Sequence, residues 1–202
     1  MVDYASITEV PGLKATREQL SRLYQRYRFA ADFVRGRDVL EVACGSGIGL
    51  GFLAEYANRV VGGDIDKKNL SMASDLCRKR EIEIREMDAH ALPFEGRSFD
   101  VVLLYEALYY LERPDVFVKE AHRILREKGL LIICTVNKNW KGFHPSPFSE
   151  KYYSVPGMRA LLKASFKTVD FYGAFPVESG GISDGFVSAL KRLAISFGLI
   201  PG

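Results

Sequence analysis

No stretch of the sequence stays apolar for the roughly 18 residues that a membrane-spanning helix needs. The longest clean run, Gly129-Leu-Leu-Ile-Ile-Cys-Thr-Val136, has the length of a strand. The opening Met1-Val-Asp-Tyr-Ala-Ser lacks the basic-then-apolar order of a secretory leader, so a cytoplasmic location is expected. Cysteine is scarce: Cys44, Cys77 and Cys134 are widely spaced and form no Cys-x-x-Cys pair. That argues against a disulfide framework and against a zinc site, and no bound metal is expected. An excess of one charge is missing as well. The net charge is only +3, and Lys and Arg are spread along the chain, without the concentrated patch of a specific nucleic-acid binder. There is no internal repeat and no low-complexity segment.

What is present is enough for one substantial core. The chain has 202 residues, 48% of them apolar, within the roughly 100–200 residues usual for one domain. Leu20, Leu23, Tyr24, Tyr27 and Ala31 recur at helical spacing between Thr16 and Val34, with Thr16 and Gln19 placed as a capping box. Short runs rich in branched residues follow at 38–42, 59–63, 82–87, 99–105 and 130–136. Helical patterns lie at 48–57, 67–80 and 114–128, with Gly129 placed as the glycine cap of the last. Alternation of this kind means parallel strands joined by crossover helices, hence a doubly wound α/β sheet, mostly parallel, with helices on both faces. A short helix at 155–164 and a last strand at 166–175 complete the pattern. The expected organisation is an N-terminal helical cap at 1–36, a sheet domain at 37–177, and a Gly/Ser hinge with an apolar tail at 178–202, where the tail serves as a substrate lid or a homodimer contact.

The first buried strand, Val39-Leu-Glu-Val, runs into Ala43-Cys-Gly-Ser-Gly-Ile-Gly49 and then a helix. Glycines at 45 and 47 let backbone approach a ligand where a side chain would collide, and the helix start presents free N–H groups. Nicotinamide and flavin proteins want Gly-x-Gly-x-x-Gly, but the sixth place holds Leu50 counted from Gly45 and Phe52 counted from Gly47. At the end of the second strand stands Asp64, nineteen residues after Gly45, where a carboxylate can accept both hydroxyls of a ribose. Asp66 is placed to cap the next helix.

The order acid-x-Gly-x-Gly-x-Gly, met here by Glu41, Ala43, Gly45 and Gly47 with alanine in the first glycine position, resembles class I S-adenosylmethionine-dependent methyltransferases. Arg85-Glu-Met-Asp-Ala-His-Ala-Leu-Pro-Phe94, Ser98–Leu111 and Glu120–Ile133 are similar to that family's third, fourth and fifth stations, so the resemblance covers residues 37–136. The closest likeness is to the type 11 group of small-molecule methyltransferases. It implies a Rossmann-like methyltransferase sheet and S-adenosylmethionine as cofactor, with S-adenosylhomocysteine as product. It also implies that Glu41 serves the methionine ammonium, Asp64 the ribose, Ile65 the adenine face, Asp88 the adenine amino group and the Ala89 N–H a ring nitrogen, with the Tyr105 backbone lining the methionine part.

In-line methyl transfer needs little beyond good placement of nucleophile and methyl group, and a hydroxyl acceptor needs a base as well. Glu106, Tyr110 and His144 are the candidates for that base. The fourth strand ends in Tyr-Glu-Ala-Leu, which is unlike the Asp/Asn-Pro-Pro-aromatic segment of exocyclic-amine DNA methyltransferases. A small-molecule acceptor is therefore expected, such as a sugar or a lipid-linked precursor. The competing readings are a non-catalytic S-adenosylmethionine-binding protein and a nicotinamide oxidoreductase.

Overall fold

Branched residues crowd the pleated surface of a strand well and lose rotamer freedom in a helix, and the branched runs here become strands. The structure, a computed structural model, describes residues 16–175. Its elements in chain order are α1 (Arg17–Val34), β1 (Asp38–Val42), α2 (Leu50–Leu53), β2 (Arg59–Asp64), α3 (Lys67–Cys77), β3 (Glu83–Glu86), β4 (Phe99–Tyr105), α4 (Pro114–Ile124), β5 (Leu125–Cys134) and α5 (Val155–Lys163), with a 3₁₀ turn at Leu108–Tyr110 after β4. The five strands form one sheet in the order β3-β2-β1-β4-β5, and every pairing is parallel. Chain order reverses between β1 and β4, so the crevice where open sheets of this type bind ligands lies beyond the carboxyl ends of those two strands.

The strand period of two divides the side chains between two layers. Leu40, Val42, Val102 and Leu104 pack under α4 with Phe117, Ala121 and Ile124, joined by Met158 of α5. Val39, Val101, Leu103 and Tyr105 face α1 and α2 through Tyr27, Ala30, Val34, Leu50 and Leu53. Glu41 falls on this second face, beneath α1. Among the described residues no helix is long and apolar enough to cross a membrane. The tail at 178–202 lies outside the described residues.

Several element ends differ from the sequence expectation. The α2 helix is only Leu50–Leu53, and the chain closes through turns at Ala54–Tyr56. The expected 114–128 helix stops at Ile124, and β5 starts at once. Gly129 is therefore no helix cap. It lies in a bulge where the register passes from Phe99↔Leu125 to Val101↔Leu130, and a Cβ there would stand 2.9 Å from the Arg126 carbonyl oxygen. Lys128 takes the left-handed conformation instead, at φ 63°. The segment pairs with β4, and Arg126 in it bonds Asp100 Oδ2 at 2.8 Å and Asp38 Oδ2 at 2.9 Å. The 166–175 segment forms no strand. It wraps instead, with Phe171 under the Arg159 guanidinium and the Tyr172 ring 5.3 Å from that of Phe29 on α1.

Replacing Arg126 by Met leaves two strand-start aspartates facing each other. The expected loss is about 1 kcal/mol in urea unfolding at pH 7, a modest value because solvent screens these partly exposed pairs. Asn58 first, and then Arg126, hold the Asp38 carboxyl below its ordinary value. Stability from a depressed carboxyl is present above the unfolded pKa and is lost as pH falls through the folded one. The gap between wild type and Arg126→Met therefore closes in acid, and an equal gap at pH 7 and in acid contradicts the network.

Candidate functional site

At the carboxyl end of β1 the chain turns through three left-handed residues, Ala43 at φ 54°, Gly45 at 56° and Gly47 at 76°. Glycine takes this conformation freely, whereas Ala43 bears a cost of about 1 kcal/mol. A Cβ on Gly47 would meet the Ala73 Cβ at 2.9 Å, and one on Gly49 would lie inside the Tyr27 ring, 1.8 Å from its Cζ. The last glycine of the turn is thus required by an aromatic ring from α1.

That ring carries its hydroxyl to the acid of β1. Tyr27 Oη donates to Glu41 Oε1 at 2.6 Å. Glu41 is only 2% exposed, and its other oxygen, Oε2, is buried with no hydrogen-bond partner among the described residues. Burial drives the Glu41 pKa up to about 7, against the pull of the Tyr27 hydrogen bond and the nearby Arg26 guanidinium. Burial, and then Glu41 itself, push the Tyr27 phenol well upward, so it remains a donor. A buried carboxyl with an unsatisfied oxygen and a perturbed pKa is a candidate ligand group.

Asp64, at the end of β2, staples the turn. Its Oδ2 accepts from the Gly45 N–H and its Oδ1 from the Asp66 N–H, both at 2.9 Å. Burial raises its pKa despite these bonds. A ribose at this position would share oxygens that already serve backbone, using their remaining lone pairs. Asp66 caps α3 through the Lys68 and Asn69 N–H groups, as its place in the sequence suggests. Ile65 between them is 55% exposed, a large apolar side chain left open at the crevice.

The Met87 N–H donates to the Asp64 carbonyl at 3.0 Å, which sets Asp88 and buried Ala89 next to the end of β2. Asp88 is exposed, and its Oδ1 binds the His90 N–H at 2.8 Å and His90 Nδ1 at 2.7 Å. Burial alone would raise the Asp88 pKa, but the bonds from His90 outweigh it and the net shift is downward.

Tyr105 ends β4 with its side chain turned into the core, edge-on to Tyr27 and donating to the Arg26 carbonyl at 3.1 Å. Glu106 follows in the left-handed region at φ 49°. Its carboxylate accepts from the Tyr109 hydroxyl at 3.3 Å and the Cys134 thiol at 3.5 Å, and Arg26 Nη1 lies 4.0 Å away. Glu106 is thus held between the ends of β4 and β5. Tyr110 is half-buried, its ring edge-on to Tyr109. His144 is half-buried, and neither a hydrogen bond nor an ion pair joins it to the other described residues.

The sequence singled out Glu41 and Asp64 but not the closure of Tyr27 on Glu41 or the contacts of His90 with Asp88. The helical pattern of α1 marks Tyr27 as inward-facing, and only the fold shows what it meets.

The fold defines a doubly wound α/β protein whose sheet reverses its chain order between β1 and β4. Residues 40–133 match the family profile described as a methyltransferase domain. A protein of Mycolicibacterium smegmatis named "Probable S-adenosylmethionine-dependent methyltransferase/" is 31% identical over 173 residues, 82% of this chain and 66% of its own length. A ubiquinone biosynthesis O-methyltransferase of Agrobacterium fabrum is 32% identical over 110 residues, 54% of this chain and 44% of its own. The chain spans from 44% to 66% of the length of these two relatives. An Aquifex aeolicus S-adenosylmethionine-dependent methyltransferase superposes with a TM-score of 0.61 at 18% identity, over 75% of this chain and 88% of that one. The [4+2]-cyclase SpnF superposes at 0.65 and 22% identity over 78% of this chain and 61% of that one, so these likenesses speak for the fold alone. The chain belongs to the class I S-adenosylmethionine-dependent methyltransferases, in the type 11 methyltransferase-domain group, whose cofactor is S-adenosylmethionine.

The raised pKa of Glu41 has a stability consequence of definite sign. Its folded value near 7 lies above the ordinary 4.5, so the stability it contributes is full below the unfolded pKa and is lost as pH rises through the folded one. Wild type should lose roughly 2–3 kcal/mol from this group between pH 5 and pH 8. Glu41→Gln, which does not titrate, should keep that stability in urea unfolding. Parallel pH profiles for the two proteins would contradict this picture of the site.

Proposed function

We propose that this chain transfers a methyl group from S-adenosylmethionine to a hydroxyl of a small molecule, a sugar or a lipid-linked precursor being the favoured acceptor class. The carrying observation is the buried, unpartnered Oε2 of Glu41, aligned with a glycine turn whose backbone is held open by Asp64. The residues suit the cofactor. Glu41 would hold the α-ammonium, with the turn around Ala43, Gly45 and Gly47 passing close to the ligand. Asp64 would take the ribose, Ile65 one adenine face, and Asp88 with the Ala89 N–H the adenine edge.

When bound, the cofactor supplies a methyl group activated on a sulfonium. The work of the chain is to hold, orient and shield. Glu106, bonded to Tyr109 and Cys134 at the strand ends, would accept the acceptor hydroxyl's proton at a carboxylate oxygen. Its left-handed backbone is the kind of local strain that clusters at active sites. A hydroxyl acceptor also accords with relatives named as O-methyltransferases.

Calorimetric titration tests the reading. S-adenosylhomocysteine should bind wild type and bind Glu41→Gln roughly tenfold or more weakly, because a charge-assisted bond is removed. At pH 6.5 an ammonium arriving at Glu41 should expel more than about half a proton per site, seen as a dependence of the heat on buffer ionisation enthalpy. Tight NADH binding with no response to either adenosyl-sulfur ligand would overturn the proposal.

A further inference from the structure

We infer that Tyr109 is a positioning residue that ties the seating of the 137–153 loop to the placement of the Glu106 carboxylate; this rests on the reading of Glu106 as the base. The loop follows the carboxyl end of β5 and closes on itself. Asn137 is bridged to Tyr153, and the Lys138 N–H donates to the Tyr153 carbonyl at 3.1 Å. Between those ends the loop folds back onto the 3₁₀ turn, where its contacts converge on one residue. The Tyr109 carbonyl accepts from the Glu150 N–H at 2.8 Å and the Lys151 N–H at 3.3 Å. The Tyr109 ring stacks on that of Tyr152, with centroids 4.8 Å apart and planes 25° from parallel. Tyr152 is fixed in turn: its hydroxyl accepts from the Ser146 N–H at 3.2 Å, and its ring meets Phe143 edge-on at 4.7 Å.

The far end of the Tyr109 ring reaches the base. Its hydroxyl donates to Glu106 Oε2 at 3.3 Å, while Oε1 takes the Cys134 thiol at 3.5 Å and faces Arg26 at 4.0 Å. Burial first, and then Glu106, push the Tyr109 phenol upward, so it stays a neutral donor, and Tyr110 is hydrogen-bonded to it as well. A tyrosine side chain has only two torsions and a rigid ring. A ring that shifts to follow Tyr152 therefore carries its hydroxyl along the Glu106 oxygen. The carboxylate keeps lone pairs for an acceptor's proton while Tyr109 fixes its plane. An acceptor that seats the loop thus sets the base in the same step.

The test follows loop and carboxylate separately in the full chain. Amide hydrogen exchange reads the loop. The carbon-13 carboxyl resonance of Glu106, assigned by its loss in Glu106→Gln, reads the base. Tyr152→Leu removes the stacked ring and leaves the Tyr109 hydroxyl in place. Exchange at 137–153 should then quicken roughly 2- to 10-fold, as expected for one lost aromatic pair, and the Glu106 resonance should move with it. Tyr109→Phe keeps the stack and removes the hydroxyl. It should move the Glu106 resonance in the same direction and leave loop exchange within about twofold of wild type. Unchanged exchange in β1 and β4 reports that each variant is folded. A Glu106 resonance unmoved in either variant, or loop exchange unchanged in Tyr152→Leu, overturns the inference. Titration of the same samples with S-adenosylhomocysteine tests the cofactor reading by itself. No binding by wild type refutes that reading, and with it the catalytic meaning of the coupling.

Discussion

The hydrogen bond from Tyr27 to Glu41 is the interaction on which the rest of this site depends. It joins the leading helix to the first strand through a ring that lies where any side chain on residue 49 would be. The glycine turn can be tight only because Gly49 has no Cβ, and α1 can close over the sheet only because Tyr27 finds an acceptor for its hydroxyl. Burying that carboxyl without a second partner opposes folding at neutral pH, since a charge out of water must be paired or titrated away. The chain tolerates the cost at the place where a cationic ligand group would relieve it.

A second tie sets the shape of the crevice. Asp64 bonds the glycine turn and its own strand end at once, so the mouth between β1 and β2 is fixed by one carboxylate. Ala43, bent into a region that favours glycine, holds the same turn at a cost in stability. On the other side, Glu106 is strained and gripped in the same way. Left-handed non-glycine residues stand at both ends of the sheet, Ala43 and Glu106 at the carboxyl ends of β1 and β4, Arg97 and Lys128 near the amino ends of β4 and β5. The amino end also carries the ion-pair network in which Arg126 bridges Asp38 and Asp100.

Most of the sheet was legible because parallel strands buried on both faces read as short branched runs, and the glycine turn was legible because its spacing follows from close backbone approach. What escaped depended on contacts distant in sequence. The α4 pattern continues past Ile124 with good helix formers, and the pairing of Leu125 and Leu130–Cys134 with β4, distant in sequence, makes the segment a bulged strand. The 166–175 run has strand composition but finds no ladder partner among the described residues. Arg26 resembles any polar residue on an amphipathic helix until the fold places it over the strand ends. Glu41 could be flagged as an acid inside a buried strand, and its unpartnered oxygen needed the coordinates.

The most direct test is a crystal structure of the chain with S-adenosylhomocysteine. The account predicts the amino-acid nitrogen within hydrogen-bond distance of Glu41 Oε2, with the adenine lying along Ile65 beside Asp88. An adenosyl group bound elsewhere, or a Glu41 carboxyl still without a ligand partner, would contradict it.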